Sequence, residues 1–262
     1  MLFVPKFDIL PLASLQDTSA GEMAYLFKER NSLGAKYDYP KGGSQALIDA
    51  LVRGLRKNGG KLALGAHVEQ ILVDEKEGAN GIKLKKGGRV IRARKAVVTN
   101  ASVWDTALSG LLPENAIPAE RIEAIKNAEV CDSFMHLHLG IDATGLPEGQ
   151  EGLGIHHLVL NSWEDGVDSN LNVFNISIPS VLDPELAPPG KHVVHIYGAA
   201  NEPWSRWEGV EYGSEEYKKL KAERAEPLWE ALEKVIPDIR ERAEVTLVGT
   251  PLTHNRFVRR YK

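Results

Sequence analysis

The chain has 262 residues, enough for one large domain or two small ones. Its 32 basic and 36 acidic residues leave a net charge of −4, which gives no footprint for nucleic acid, and 43% hydrophobic content with a mean hydropathy of −0.25 fits a globular chain. No run approaches the roughly 20 apolar residues of a membrane-spanning helix, and the single cysteine, Cys131, excludes an internal disulfide and suits a reducing compartment, a buried inert thiol being the default.

Taken in order, the first eight residues, Met1 to Asp8, have neither the basic and apolar regions of a signal peptide nor the arginine- and serine-rich composition of a transit peptide. Any targeting segment is expected upstream of Met1. Ser44 follows the flexible Gly42-Gly43 pair and is a candidate N-cap. Leu47, Ile48, Leu51, Val52 and Leu55 recur at helical spacing with Asp49, Arg53 and Arg56 opposite, predicting an amphipathic helix that Gly59-Gly60 closes. Residues 61–64 and 67–74 read as strands. Residues 81–85 and 89–93 flank Lys86-Gly87-Gly88, a hairpin signal. Val97-Val98 is a short apolar run of the kind a buried strand shows.

Proline- and glycine-rich loops are expected at 112–118, 144–154 and 183–190. Between them lie strand candidates at 134–139, 155–160, 172–178 and 192–197. Loops, not helices, separate them, so the sheet should be antiparallel. A long helix is predicted over 215–236, buried through Tyr217, Leu220, Leu228, Leu232 and Val235, with Pro227 kinking or dividing it. Residues 244–248 form a last strand, ended by Gly249-Thr250-Pro251, and the basic stretch 256–262 reads as a solvated loop or a membrane-surface patch, the loop being the safer reading.

Candidate chemistry centres on histidine. His136 and His138 alternate along a strand and project from one face, about 7 Å apart. His156-His157 and His195 lie on neighbouring strand candidates. His-x-His is a usable ligand pair, but no carboxylate or cysteine stands at a familiar ligand spacing. The expectation is therefore no metal, and a polar sheet face that is hydrogen-bonded or lines a cleft. His67 and His254 read as local structural residues. Gly-x-Ser-x-Gly is absent, against an α/β-hydrolase, and G-x-G-x-x-G is absent, so no dinucleotide phosphate loop is present. No catalytic side chain is nominated. Trp163, Trp204 and Trp207 suit core packing more than an aromatic surface for a ligand.

Several blocks carry a family resemblance in the right order: Asn100-Ala101-Ser102-Val103-Trp104-Asp105-Thr106, Phe134-Met135-His136-Leu137-His138-Leu139-Gly140, Gly154-Ile155-His156-His157, Leu186-Ala187-Pro188-Pro189-Gly190-Lys191-His192, Leu220-Lys221-Ala222-Glu223-Arg224, and Gly249-Thr250-Pro251-Leu252-Thr253-His254 with Arg256-Phe257. Over roughly residues 36–260 the chain resembles the plant and cyanobacterial carotenoid cis-trans isomerase (prolycopene isomerase) family, within the phytoene-desaturase-like and amine-oxidase-like flavoproteins. Residues before Tyr37 resemble it less.

The resemblance implies an α/β (α+β) fold: an incomplete FAD-binding domain of the flavin amine-oxidase type, plus a substrate domain with an antiparallel sheet backed by helices. Residues 1–35 would be a helical lead-in to the substrate domain, 36–106 the central part of the FAD-binding domain, 107–248 the substrate domain and 249–262 a return segment. It implies FAD, with the main chain at Val68 meeting the adenine and Asn100 and Ala101 near the cofactor, and it implies no metal. His136 and His138 would line the substrate cavity. The implied reaction is cis-to-trans isomerisation of a poly-cis carotene such as prolycopene, an apolar polyene, with possible peripheral membrane contact in a plastid or cyanobacterial cell. A desaturase or saturase on a similar isoprenoid, and a truncated non-catalytic binder of carotenoid or a partner, are the alternatives. The flavin segments on either side are expected outside this chain, roughly 150 residues or more of them before Met1. The isolated chain is therefore expected to bind neither FAD nor metal tightly.

Overall fold

Alternating hydropathy and helical periodicity place most elements where the sequence predicts them. The computed structural model describes residues 19–32, 40–74, 76, 78–128, 130–166, 169–259 and 261. In chain order the main elements are α1 (Ala20–Arg30), α2 (Gly43–Lys57), β1 (Val68–Asp74), β2 (Gly78–Leu84), β3 (Val90–Arg92), α3 (Val103–Leu108), α4 (Ala119–Lys126), β4 (Ser133–Asp142), β5 (His156–Leu160), β6 (Val173–Ser177), β7 (Lys191–Glu202), α5 (Glu215–Glu233), β8 (Ala243–Gly249) and α6 (Pro251–Val258). The result is the mixed helix and antiparallel-sheet fold that the sequence implies. Within the expected lead-in, α1 is helical; Tyr39 and the rest of 33–39 lie outside the described residues. The described residues fall into two compact units, one drawn from 1–50 and 131–253, the other from 51–130 and 254–261.

The larger unit is built on a five-stranded sheet of order β5-β6-β7-β4-β8, antiparallel at every pairing. Period-two alternation divides β4 cleanly. Met135, Leu137, Leu139 and Ile141 are buried on one face, while His136, His138 and Gly140 lie on the other. Helix α5 supplies Tyr217, Ala225, Leu228, Ala231 and Leu232 to the same core, along with Phe174, Ile176, Ile196 and Trp207. Ser214 caps α5, its hydroxyl accepting from the Tyr217 N–H at 3.1 Å, and Glu215 and Glu216 complement the helix N-terminus. The helix continues past Pro227 undivided, because the packing of Leu228, Ala231 and Leu232 holds the turn beyond it in place.

Inside this core sits one carboxylate with no exposure, Glu202. It accepts from Trp207 Nε1–H at 2.9 Å and from the Arg224 guanidinium, Nε at 3.0 Å and Nη2 at 2.6 Å. Arg224 Nη2 also donates to Asn170. The charge is buried only because this fork and the indole satisfy it.

The smaller unit holds the antiparallel sheet β1-β2-β3 with a turn at Lys86–Gly88. Gly81 permits the close approach of β3, since a Cβ there would meet the Ile91 carbonyl at 2.7 Å. Ser102 caps α3 by accepting from the Asp105 N–H at 3.0 Å, and Trp104 donates to the Ile125 carbonyl at 3.0 Å while stacking on Tyr261. Ile71 and Ile125 are buried here, a sparse core.

Several expectations are corrected. Residues 61–64 and 96–100 form no strand; they are irregular, and Leu64 and Val98 are 86% and 92% exposed. A strand needs a neighbour for its N–H and C=O groups, and none pairs with these segments among the described residues. Ser44 is the second residue of α2, not its cap. Cys131 is exposed, because it precedes the point where β4 joins the sheet. Residues 256–258, expected in a loop, are the last residues of helix α6, in which Pro251 occupies the first turn and Thr250 Oγ1 accepts from the Thr253 N–H at 3.2 Å.

Candidate functional site

The face of the five-stranded sheet opposite α5 carries the polar and aromatic side chains. Register decides which of them meet. His138 lies opposite His195 across β4 and β7, and His136 opposite Tyr197. On the other side of β4, Leu247 faces His138 and Gly249 faces His136. Ser177 of β6 lies opposite both His195 of β7 and His156 of β5, and His156 Nδ1 is 3.0 Å from the Ser177 hydroxyl.

These pairings produce a continuous strip of rings. His138 and His195 stack at 4.1 Å between centroids, 4° from parallel, and His136 meets both edge-on. Phe134 packs against His136 and Tyr197, and Tyr197 stacks on His195 at 5.2 Å. His136 Nδ1 lies 3.1 Å from His138 Nε2 and 3.4 Å from His195 Nε2. One ligand-capable nitrogen from each ring falls within 4.8 Å of the others. His138 is exposed and the other two are half-buried. Burial lowers the His138 pKa; burial, with a smaller contribution from His138, brings His195 down to about 4. His195 is therefore neutral at pH 7.

Gly249 makes the His136 position possible. A Cβ there would fall 1.6 Å from His136 Nε2, so the imidazole lies directly over the β8 backbone. Nearby in β6, the buried Asn175 Nδ2 has no hydrogen-bond partner among the described residues. Sequence spacing brings His136 and His138 to one face; His195, Tyr197 and Gly249 join them only through strand pairing. Their signal is present in the alternation of β7, where His195 and Tyr197 share a face.

The tryptophans divide. Trp207 is fully buried, Trp163 is exposed and Trp204 half-buried, so none belongs to this strip. The other predicted site residues lie in the smaller unit: Val68 opens β1 half-buried, opposite Leu84, while Asn100 and Ala101 are exposed just before α3.

Residues 7–251 match the family model described as flavin containing amine oxidoreductase. The chain belongs to the flavin-containing amine oxidoreductase family. It is 34% identical over 224 residues to prolycopene isomerase 2, chloroplastic, of an Oncidium hybrid cultivar, covering 85% of this chain and 36% of that one. It is 32% identical over 227 residues to the prolycopene isomerase, chloroplastic, of Arabidopsis thaliana, covering 86% and 36%, and 27% identical over 240 residues to the all-trans-retinol 13,14-reductase of Danio rerio, covering 84% and 39%. The chain thus spans little more than a third of the length of these relatives. An oxidoreductase from Methanosarcina mazei shares the fold with a TM-score of 0.50 at 24% identity, covering 80% of this chain and 42% of that one.

Membership in the flavin-containing amine oxidoreductases implies a flavin cofactor. The glycine pair at the start of α2 offers such a group no free N–H: Gly42 donates to the Asp183 carboxylate at 2.9 Å and Gly43 to the Pro40 carbonyl at 2.8 Å.

Proposed function

We propose that the intact protein is an FAD-dependent isomerase that converts poly-cis carotenes, prolycopene among them, to the all-trans form. The observation that supports this most is the ring strip of Phe134, His136, His138, His195 and Tyr197, bordered by exposed Val245 and Leu247, in a chain 34% identical to a prolycopene isomerase. A polyene is flat and apolar and offers no hydrogen bonds, so stacked rings on a sheet are a suitable floor for it. His136 and His138 line the substrate cavity in this reading. Their rings shape it and can offer an N–H to charge developing on the isomerising chain. Val68 and Asn100-Ala101 hold the adenosine end of FAD through their main chain. When bound, the flavin supplies transient electron or proton transfer to the polyene, with no net redox change.

The compartment we propose is the plastid, or the equivalent cyanobacterial membrane system, with the protein resting peripherally on the bilayer that dissolves its substrate. No helix among the described residues is long and apolar enough to cross a membrane. The likeness to a retinol reductase favours a second reading, a saturase acting on a related isoprenoid.

The test is turnover of the full-length, flavin-loaded gene product with prolycopene under reducing, anaerobic conditions, followed by chromatography and mass spectrometry. All-trans-lycopene of unchanged mass is expected. A product that has gained or lost hydrogen would replace the isomerase by a saturase or desaturase. No conversion by a fully flavin-loaded protein would favour a non-catalytic carotenoid binder.

A further inference from the structure

We infer that His136, His138 and His195 form a binding site for one divalent transition-metal ion of the zinc class on the open face of the five-stranded sheet. Along the chain no cysteine or carboxylate falls at ligand spacing, and no metal is expected from spacing alone. The third ligand comes from across the sheet, 59 residues on from His136.

The geometry of the nitrogens carries the inference. A neutral imidazole has one N–H and one bare nitrogen. His136 Nδ1 is within reach of both His138 Nε2, at 3.1 Å, and His195 Nε2, at 3.4 Å. A single ring nitrogen carries either one hydrogen or one lone pair, so it can satisfy one of these neighbours along its axis but not both. For one cation to accept a lone pair from each, the exposed His138 ring has to turn out of its parallel stack on His195. For zinc–nitrogen bonds of about 2.0–2.1 Å in a tetrahedron, neighbouring ligand nitrogens stand about 3.3 Å apart, and the two observed spacings bracket that value. All three nitrogens lie within 4.8 Å of one another. Three imidazoles with a fourth, open position match the zinc sites that retain a water. Here the exposed edge at His138 leaves that position reachable from solvent.

The supporting structure is in place. Gly249 lets the His136 ring lie over β8, and the antiparallel pairing of His138 with His195 sets two of the rings side by side. The imidazoles belong to strands of the best-packed part of the molecule, whose inner face holds Leu137, Leu139 and Ile196. The strands fix the backbone of all three ligands, so only the exposed His138 side chain has to be reordered on binding.

The site uses two of the histidines assigned to the carotene cavity, and its test needs neither flavin nor substrate. The chain is stripped with a chelator and titrated with zinc chloride by calorimetry, with cobalt(II) as a spectroscopic probe. One ion per chain at micromolar Kd or tighter is expected, with the visible absorption of tetrahedral cobalt. His138→Ala and His195→Ala should each weaken binding by about tenfold or more, while His67→Ala should not change it. His138 is exposed, so its variant should keep the fold, checked by circular dichroism, and decides the matter if His195→Ala does not fold. No saturable binding below millimolar zinc, or equal affinity in His138→Ala, would overturn the site.

Discussion

Two residues show how much of this protein depends on a single neighbour. Gly249 carries no side chain because His136 occupies the space a Cβ would need, 1.6 Å from that atom. Glu202 is ionisable and has no exposure, and it is tolerated because Arg224 and Trp207 both donate to it. Breaking a buried pair from one side leaves a stranded charge, at a cost of about 3–5 kcal/mol. Arg224→Ala should therefore lower unfolding stability by that amount in urea. The double variant Glu202→Gln with Arg224→Met, which removes both charges, should recover part of it. A loss under about 1 kcal/mol for Arg224→Ala would show that water, not Arg224, satisfies the carboxylate.

Among the elements, α2 is the exception. Its apolar stripe is as regular as any in the chain, yet none of its residues is buried; Leu47, Ile48, Leu51 and Leu55 are all exposed. The extended stretches after it expose Leu62, Leu64 and Val98 in the same way. An amphipathic helix buries its stripe against a partner, and under the proposed function that partner is the remainder of an FAD-binding domain. Leu51→Lys should accordingly change the stability of this chain by less than about 0.5 kcal/mol, as surface substitutions do. In the full-length protein it should reduce flavin content, read from the absorbance ratio after purification. Equal flavin loading of variant and wild type would count against a buried interface at α2.

At the scale of the whole molecule the two units differ in how much apolar surface they bury. The larger one packs a continuous core from β4, β6, β7 and α5, while the smaller has Ile71 and Ile125. Local stability follows buried contact. Hydrogen exchange should therefore protect amides of β4 and β7 most strongly, and those of β1–β3 should exchange at least about tenfold faster, a difference of about 1.4 kcal/mol in opening free energy. Equal protection in the two sheets would mean that the smaller unit is stabilised by something other than its own core.

Much of the local structure in both units was legible in the residues alone. The alternation in β4, the apolar stripe of α5 and the Lys86-Gly87-Gly88 turn each encode a local period or a local conformation, and each appears where expected. The family blocks from Asn100 to Phe257 were equally readable, and residues 7–251 match the flavin-containing amine oxidoreductases. Some local signals went unread, among them Ser102 with Asp105 at the start of α3 and Thr250-Pro251 at the start of α6. What no local signal contains is the strand order. Only pairing places β4 between β7 and β8, and so brings His195 and Gly249 to His136 and His138. The same dependence explains why 61–64 and 96–100 are not strands here: their apolar residues favour the conformation, but backbone hydrogen bonds require a neighbour. Periodicity tells a segment which side to bury, whereas partners and register arise from contacts between residues far apart in the chain.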